Sequence, residues 1–384
     1  MNAATGIATM HPAVLLGAYG LDQDRMPADE FQIRMAAANA LMDERGWRAI
    51  FAYGDATEHR ELAWLSNCIP RMRWGIAMLP RQGAPRLLIS MSPRDVAAMK
   101  LMTWIGDVHS GWTWAEVFDP WVAGFCAREA ATPIRVGLLG RELMRPQFLE
   151  TMTASTGERI ALEPARGALA SQLQVRRPRE LVMLREACLR VDAAAEAMRE
   201  AWHAGAGGMA AAIEAERAAR AQAAHDVRVL FSVDGGTTLL PFYGVIAGRS
   251  DPMIAYIAVK YMGYWADAFV TFAQAASPAR VAVRRALDAL LASARPGADG
   301  AELARAAKLA ALAPHPVIGE VIGHRIGHSL AEDEALTASA ATRLEPGGVY
   351  TLRAGTADPA AGCALLSAMI RVSDAGVEIM RKSD

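Results

Sequence analysis

The sequence predicts an α+β protein in two parts, residues 1–172 and 173–384, and three observations carry that reading. Short apolar strands alternate with amphipathic helices through the first part. A strong helix start follows the extended piece Gln172-Leu173-Gln174-Val175-Arg176-Arg177-Pro178. Beyond it, the alternating apolar and aromatic run of residues 253–272 reads as a long β-hairpin turning at Tyr261-Met262-Gly263-Tyr264. At 384 residues the chain exceeds one typical domain and has ample capacity for buried cores.

Residues 1 to about 28 carry Gly and Pro punctuation and are expected to run irregularly across the surface or a partner subunit. A helix reads from Ala28 to Arg45, with Phe31, Met35, Ala38 and Met42 at helical spacing and Gly46 as its stop. Strands are expected over 47–53, 73–79, 86–91 and 134–139, and helical patches near 93–103 and 114–129. Trp64, Trp74, Trp104, Trp112, Trp114 and Trp121 suit a core or an interface better than a binding cage. In the second part Pro178 opens a helix whose apolar positions Leu181, Leu184, Ala187, Val191 and Ala195 run to Trp202 before Gly205. A second helix covers about 209–224 and a strand 227–233. After the hairpin come helices near 278–295 and 300–313, and two last strands at 349–352 and 366–372.

Composition narrows the function classes. The 40 basic and 41 acidic residues nearly balance, which speaks against an electrostatic nucleic-acid binder. Cys68, Cys126, Cys188 and Cys363 are scattered without CxxC spacing, as expected of reduced core thiols in a cytoplasmic protein. No basic start followed by an apolar run and no apolar stretch of about 18 residues is present, so neither export nor membrane spanning is expected.

The chemistry-bearing stretch is Gly323-His324-Arg325-Ile326-Gly327-His328-Ser329-Leu330, with two histidines four apart, each preceded by glycine. Imidazoles ligate metals or move protons near neutral pH. Gly327 and the preceding Val317–Ile322 run indicate strand and loop here rather than helix. Arg325 occupies the position where a zinc-protease helix requires its glutamate base, which excludes that motif.

Five local patterns in order resemble the creatinase/methionine aminopeptidase/prolidase (M24-type) family: Arg176-Arg177-Pro178-Arg179-Glu180, Tyr261 through Asp267, His324 through His328, Leu344 through Tyr350, and Val372 through Gly376. The resemblance covers about 210 residues and implies a C-terminal pita-bread domain, preceded by a smaller α/β domain of the creatinase type. It also implies a dinuclear metal site of two Asp, one His and two Glu. Carried over by position, the second Asp is Asp267 and the ligand His is His328, with His324 on the family's preceding His. The other three ligands become Tyr256, Arg353 and Ser367. The upstream substrate-binding His has no counterpart in Leu239-Leu240-Pro241-Phe242.

One carboxylate is left where four would offset two divalent ions, and a guanidinium has been added. Such a site is expected to be free of metal and of any other cofactor. The candidate catalytic residues are therefore His328, His324 and Asp267, and the candidate substrate-binding residues Arg353, Tyr256 and Ser367. His328 reads as a general acid/base beside Asp267, or as a histidine kept in a hydrogen-bonded core. Arg353 reads as a counterion of Asp267 or as an anchor for a substrate carboxylate. Tyr256 reads as an oxyanion donor or as filler of the vacated metal volume. Ser367 reads as the nucleophile of an Asp-His-Ser relay or as a small polar replacement.

The expected function is metal-independent, creatinase-like hydrolysis of a C–N bond in a small neutral or anionic molecule, with creatine a poor substrate. The alternatives are a silent pseudo-peptidase used for binding or assembly, a metallopeptidase with altered ligands, and a lyase or isomerase. The expected partners are a small-molecule substrate and a second copy in a homodimer, with no nucleic acid and no membrane.

Overall fold

The computed structural model describes residues 20–70, 73–241, 248–308 and 312–384. The chain divides into two compact units, Met1–Gln174 and Val175–Asp384. Of the segment expected to be irregular, 1–19 lies outside the described residues, as does Phe242.

The first unit is built on one mixed six-stranded sheet. Its strands are β1 (Ala49–Asp55), β2 (Trp74–Pro80), β3 (Arg86–Ile89), β4 (Asp107–Ser110), β5 (Ile134–Leu139) and β6 (Ile160–Pro164), in the order β4-β3-β2-β1-β5-β6. β1, β2 and β3 are antiparallel neighbours, while β5 runs parallel to both β1 and β6, and β4 parallel to β3. Side chains of β1 alternate between two cores. Ile50 and Ala52 face one with Leu41 and Met42 of helix α1 (Ala28–Arg45). Ala49, Phe51 and Tyr53 face the other with Phe118 and Phe125 of α2 (Trp114–Arg128). Each large apolar side chain buried this way contributes about 1.5–3 kcal/mol. Helix α1 ends at Gly46, which takes a left-handed φ of 68° that only glycine adopts without strain.

The expected helical patch near 93–103 is only a turn of 3₁₀ helix (Pro93–Asp95) and four α residues (Val96–Met99). Three elements had no strong signal: β4 has four residues, and α3 (Pro146–Thr156) and β6 are partly exposed with weak periodicity. Trp64 and Trp121 are core residues, whereas Trp112 is exposed.

The second unit pairs two four-stranded antiparallel sheets with helices. One sheet holds β7 (Asp226–Phe231), β8 (Leu240–Pro241), β9 (Met253–Tyr261) and β10 (Tyr264–Phe272), ordered β10-β9-β7-β8. The other runs β11 (Gly323–Arg325), β12 (Val349–Asp358), β13 (Gly362–Ser373) and β14 (Gly376–Lys382), in that order. The expected hairpin is present, with Met262 and Gly263 both at positive φ in its two-residue turn. The two expected last strands are the near halves of longer ones, and β14 follows as a third. The chain's last strand was missed because Glu378 and Ile379 are exposed and break the apolar alternation.

Helix α4 (Pro178–His203) packs on β9 and β10, and Glu180 reaches back to accept from the Arg177 amide at 3.0 Å, closing its first turn. Helix α5 (Pro278–Ser293) covers the other sheet: Ala364, Leu366, Ala368, Ile370 and Val372 of β13 face it, as do Tyr350, Leu352 and Ala354 of β12. The alternate residues, Thr351 and Arg353 of β12 and Leu365 and Ser367 of β13, therefore face β10. This parity fixes which side chains meet between the sheets. The whole is an α+β chain with a pita-bread C-terminal domain and an α/β N-terminal domain.

Candidate active site

Asp267 lies in mid-strand on β10, 1% exposed, and three side chains converge on its carboxylate. Tyr256 sits opposite Phe269 in the hairpin register, diagonal to Asp267, and its hydroxyl donates to Oδ2 at 3.0 Å. The Thr351 hydroxyl donates to Oδ1 at 2.5 Å. His324, paired with Thr351 across β11 and β12, brings Nε2 to 3.4 Å from Oδ2, a contact too poorly aligned to count as a full hydrogen bond. Burial pushes the Asp267 carboxyl up, but His324, Thr351 and Tyr256 together outweigh it and hold the group below its ordinary value. For Tyr256 burial and then the Asp267 charge act in one direction, and the phenol is raised well above its ordinary value. Its proton stays on and points at Asp267, so Tyr256 is a committed donor filling the volume rather than an oxyanion donor.

His328 is elsewhere. Its ring lies 4.2 Å from the Tyr264 ring, its Nδ1 is 3.2 Å from the Gly263 carbonyl, and its Nε2 is 3.8 Å from Glu180 Oε1. Its amide donates to Glu332 Oε1 at 2.8 Å, and Glu332 in turn pairs with the buried Arg176. Tyr264 donates to Glu180 at 3.1 Å. The expected placement of His328 beside Asp267 is thus corrected by four residues: strand β11 ends at Arg325, so His324 faces the carboxylate and His328 falls in the following loop. His328 belongs to an internal polar network that ties the start of α4 to the hairpin turn. A Cβ on Gly327 would lie 2.6 Å from the Arg176 Cζ and 2.7 Å from Glu332 Oε1, so these buried side-chain ends would have to shift to admit one.

Ser367 accepts a 2.8 Å hydrogen bond from the Phe269 amide and is fully buried. Beside it Thr271 bridges to both backbone groups of Leu365, and Ser383 donates to the Phe269 carbonyl while its amide donates to the Ser367 carbonyl. These bonds stitch β10 to β13, and of the two readings of Ser367 the hydrogen bonding matches the small polar replacement, set in a structural seam. Arg353 lies opposite Ser367 in the register. Its Nε donates to the Val321 carbonyl at 3.2 Å and its guanidinium carbon is 5.8 Å from the Phe269 ring centre. Among the described residues no ion pair joins it to Asp267, so His324 and not Arg353 is the close basic neighbour of that carboxylate. Burial lowers the Arg353 guanidinium's pKa, with the Asp267 charge opposing.

The donor set does not fit a pair of divalent ions. Both oxygens of the one remaining carboxylate already receive hydroxyl protons, and a guanidinium stands on the neighbouring strand. Among the described residues no group of three His, Cys, Asp or Glu is arranged to hold a metal ion. The sequence reading missed Thr351 altogether. Its signal was the parity of β12, since a residue two before Arg353 shares its face.

A buried carboxylate and an imidazole thus meet between the two sheets of the pita-bread half. The description "Metallopeptidase family M24" matches residues 182–377, and the chain belongs to that family. Similar solved structures include the prolidase from Pyrococcus horikoshii OT3, at 16% identity and TM-score 0.70, covering 92% of this chain and 99% of that one. The X-Pro aminopeptidase from Thermotoga maritima MSB8 has 17% identity and TM-score 0.70, with 91% and 97% covered. The N-terminal domain of FACT complex subunit SPT16 from Cicer arietinum (chickpea) has 15% identity and TM-score 0.60, with 92% and 96% covered. At these identities the likeness establishes the fold. No curated protein sequence matches the chain.

Proposed function

We propose that the protein is a metal-independent hydrolase of a C–N bond in a small neutral or anionic molecule, with His324 and Asp267 as its acid/base pair. The observation that carries this reading is the 3.4 Å approach of His324 Nε2 to a buried carboxylate held below its ordinary pKa. With Nε2 on the Asp267 side, the tautomer that carries its proton there leaves Nδ1 as the basic nitrogen. That nitrogen takes a proton from water as it attacks the substrate carbon, and returns it to the departing nitrogen. Asp267 orients the ring and stabilises the imidazolium between the two transfers. The role first expected of His328 passes to His324.

The test is a screen of chelator-treated protein against small amides, amidines and ureides. Turnover that survives chelation, and falls by about 10²–10⁴ in His324→Ala while His328→Ala keeps kcat, supports the proposal. Turnover that appears only with added Mn, Co or Zn, or that is indifferent to His324→Ala, sinks it. A second reading, a catalytically silent member used for binding, is favoured by the full hydrogen bonding of the Asp267 oxygens and by the likeness to the FACT subunit's domain. Ligand binding without turnover across the panel selects it. A cytoplasmic homodimer is part of the same proposal, checked by light scattering against the 41.1 kDa of one chain. Among the described residues no helix is long and apolar enough to cross a membrane.

A further inference from the structure

A cavity of about 310 Å³ opens beside Arg353, between the short helix Gly300–Ala306 and the segment leading into β11. Its walls are mostly aliphatic, with Leu312, Pro314, Ile318 and Ile322 facing Ala304 and Ala307. Three charged side chains line it. Lys308 and Glu320 are exposed and largely cancel in solvent, whereas Arg353 is half-buried. Its Nε is used by the Val321 carbonyl, and among the described residues its two terminal nitrogens make no hydrogen bond or ion pair. A guanidinium with its fork unoccupied at the wall of an aliphatic cavity has one natural complement: a planar anion that accepts two parallel hydrogen bonds.

We propose that this cavity binds a small aliphatic carboxylate, the anion on Arg353 and the hydrocarbon against Ile318 and Ile322. The proposal goes beyond the hydrolase reading above, since neither His324 nor Asp267 lines this cavity. The volume lies at the low end of the roughly 300–1,000 Å³ typical of ligand pockets, so the ligand is small. Thr351 and Arg353 share a face of β12, so the strand that holds the anchor also holds a donor to Asp267.

The test is calorimetric titration of the full chain with isovalerate and with isovaleramide, which matches it in shape but carries no charge. The wild-type protein and His324→Ala bind the carboxylate at least about tenfold more tightly than the amide, a preference of one guanidinium-to-carboxylate fork. Arg353→Met abolishes the preference, and Ala304→Leu, which narrows the cavity from a different element, weakens both probes. Equal binding of the two probes to the wild-type chain overturns the proposal, as does no binding of isovalerate at tens of millimolar or a preference that survives Arg353→Met. The first comparison needs no variant, so a misfolded Arg353→Met leaves the idea open to refutation. The two readings fail separately. Binding with the stated preference and no turnover refutes only the hydrolase, while turnover of amides with no carboxylate preference refutes only this site.

Discussion

Replacing Tyr256 by Phe removes one oxygen and leaves the ring packed at a tilt against Phe269, where the ring centres are 4.9 Å apart. What is lost is the 3.0 Å hydrogen bond to a carboxylate that is 1% exposed. Hydrogen bonds to charged groups are worth about 1.5–3 kcal/mol, and here the acceptor stays buried with one donor fewer. A domain the size of Val175–Asp384 loses about 2–4 °C of melting temperature per kcal/mol, so the expected fall is about 3–12 °C. Seven of the nine tryptophans lie in the first unit, so fluorescence reports mainly on the wrong half. Calorimetry, with hydrogen exchange over the hairpin 253–272, isolates the affected unit. The control is the same substitution in an Asp267→Asn background, where the cost should shrink to that of a neutral pair. An identical cost in both backgrounds, or a shift below about 1 °C, would show that the Tyr256 hydroxyl does not stabilise the Asp267 charge and would refute the reasoning.

Two further outcomes follow from the same neighbourhood. Asp267 has a folded pKa below its unfolded value, so its contribution is fully present above about pH 4 and is lost as pH falls through the folded value. Acid titration of stability should therefore show a component below about pH 4 that is missing in Asp267→Asn. Gly327→Ala forces a Cβ against the fully buried ends of Arg176 and Glu332 and should cost about 1–3 kcal/mol in urea denaturation. A neutral result would mean that the Arg176 network shifts freely.

The parts of the fold that were legible in the sequence are those where local pattern and burial coincide. Helix α1 shows its buried face as spacing and its end as Gly46, and the hairpin at Tyr261-Met262-Gly263-Tyr264 announces itself through an alternating run and a turn that needs positive φ. Asp267 and Tyr256 were found because hairpin register is countable. His324 against His328 was not decidable that way, since a four-residue offset is one strand-to-loop transition after Arg325, and only the pairing of His324 with Thr351 resolves it. Ser367 was left with two readings for a related reason. Its residue type allows a nucleophile or a small polar replacement, and only its parity on β13 shows that it meets the Phe269 amide.

The residues around Asp267 act as a set. A buried carboxylate needs compensation, and here protons on neighbouring side chains supply it. Tyr256 and Thr351 supply two such donors and His324 a third neighbour, which is why Asp267 remains ionised despite complete burial. Returning Tyr256 alone to a carboxylate would put two like charges at hydrogen-bond distance with no cation to bridge them, and one would have to take up a proton. Returning Ser367 alone would bury a charge where the Phe269 amide is the observed partner and would unpick the seam between β10 and β13. Arg353, like Ser367, does not serve Asp267 directly: its Nε is spent on Val321, and its side chain lines a cavity. A half-buried guanidinium held without a protein anion is costly to keep. An anionic ligand would offset that cost, and the carboxylate proposed for the cavity beside Arg353 is such a ligand.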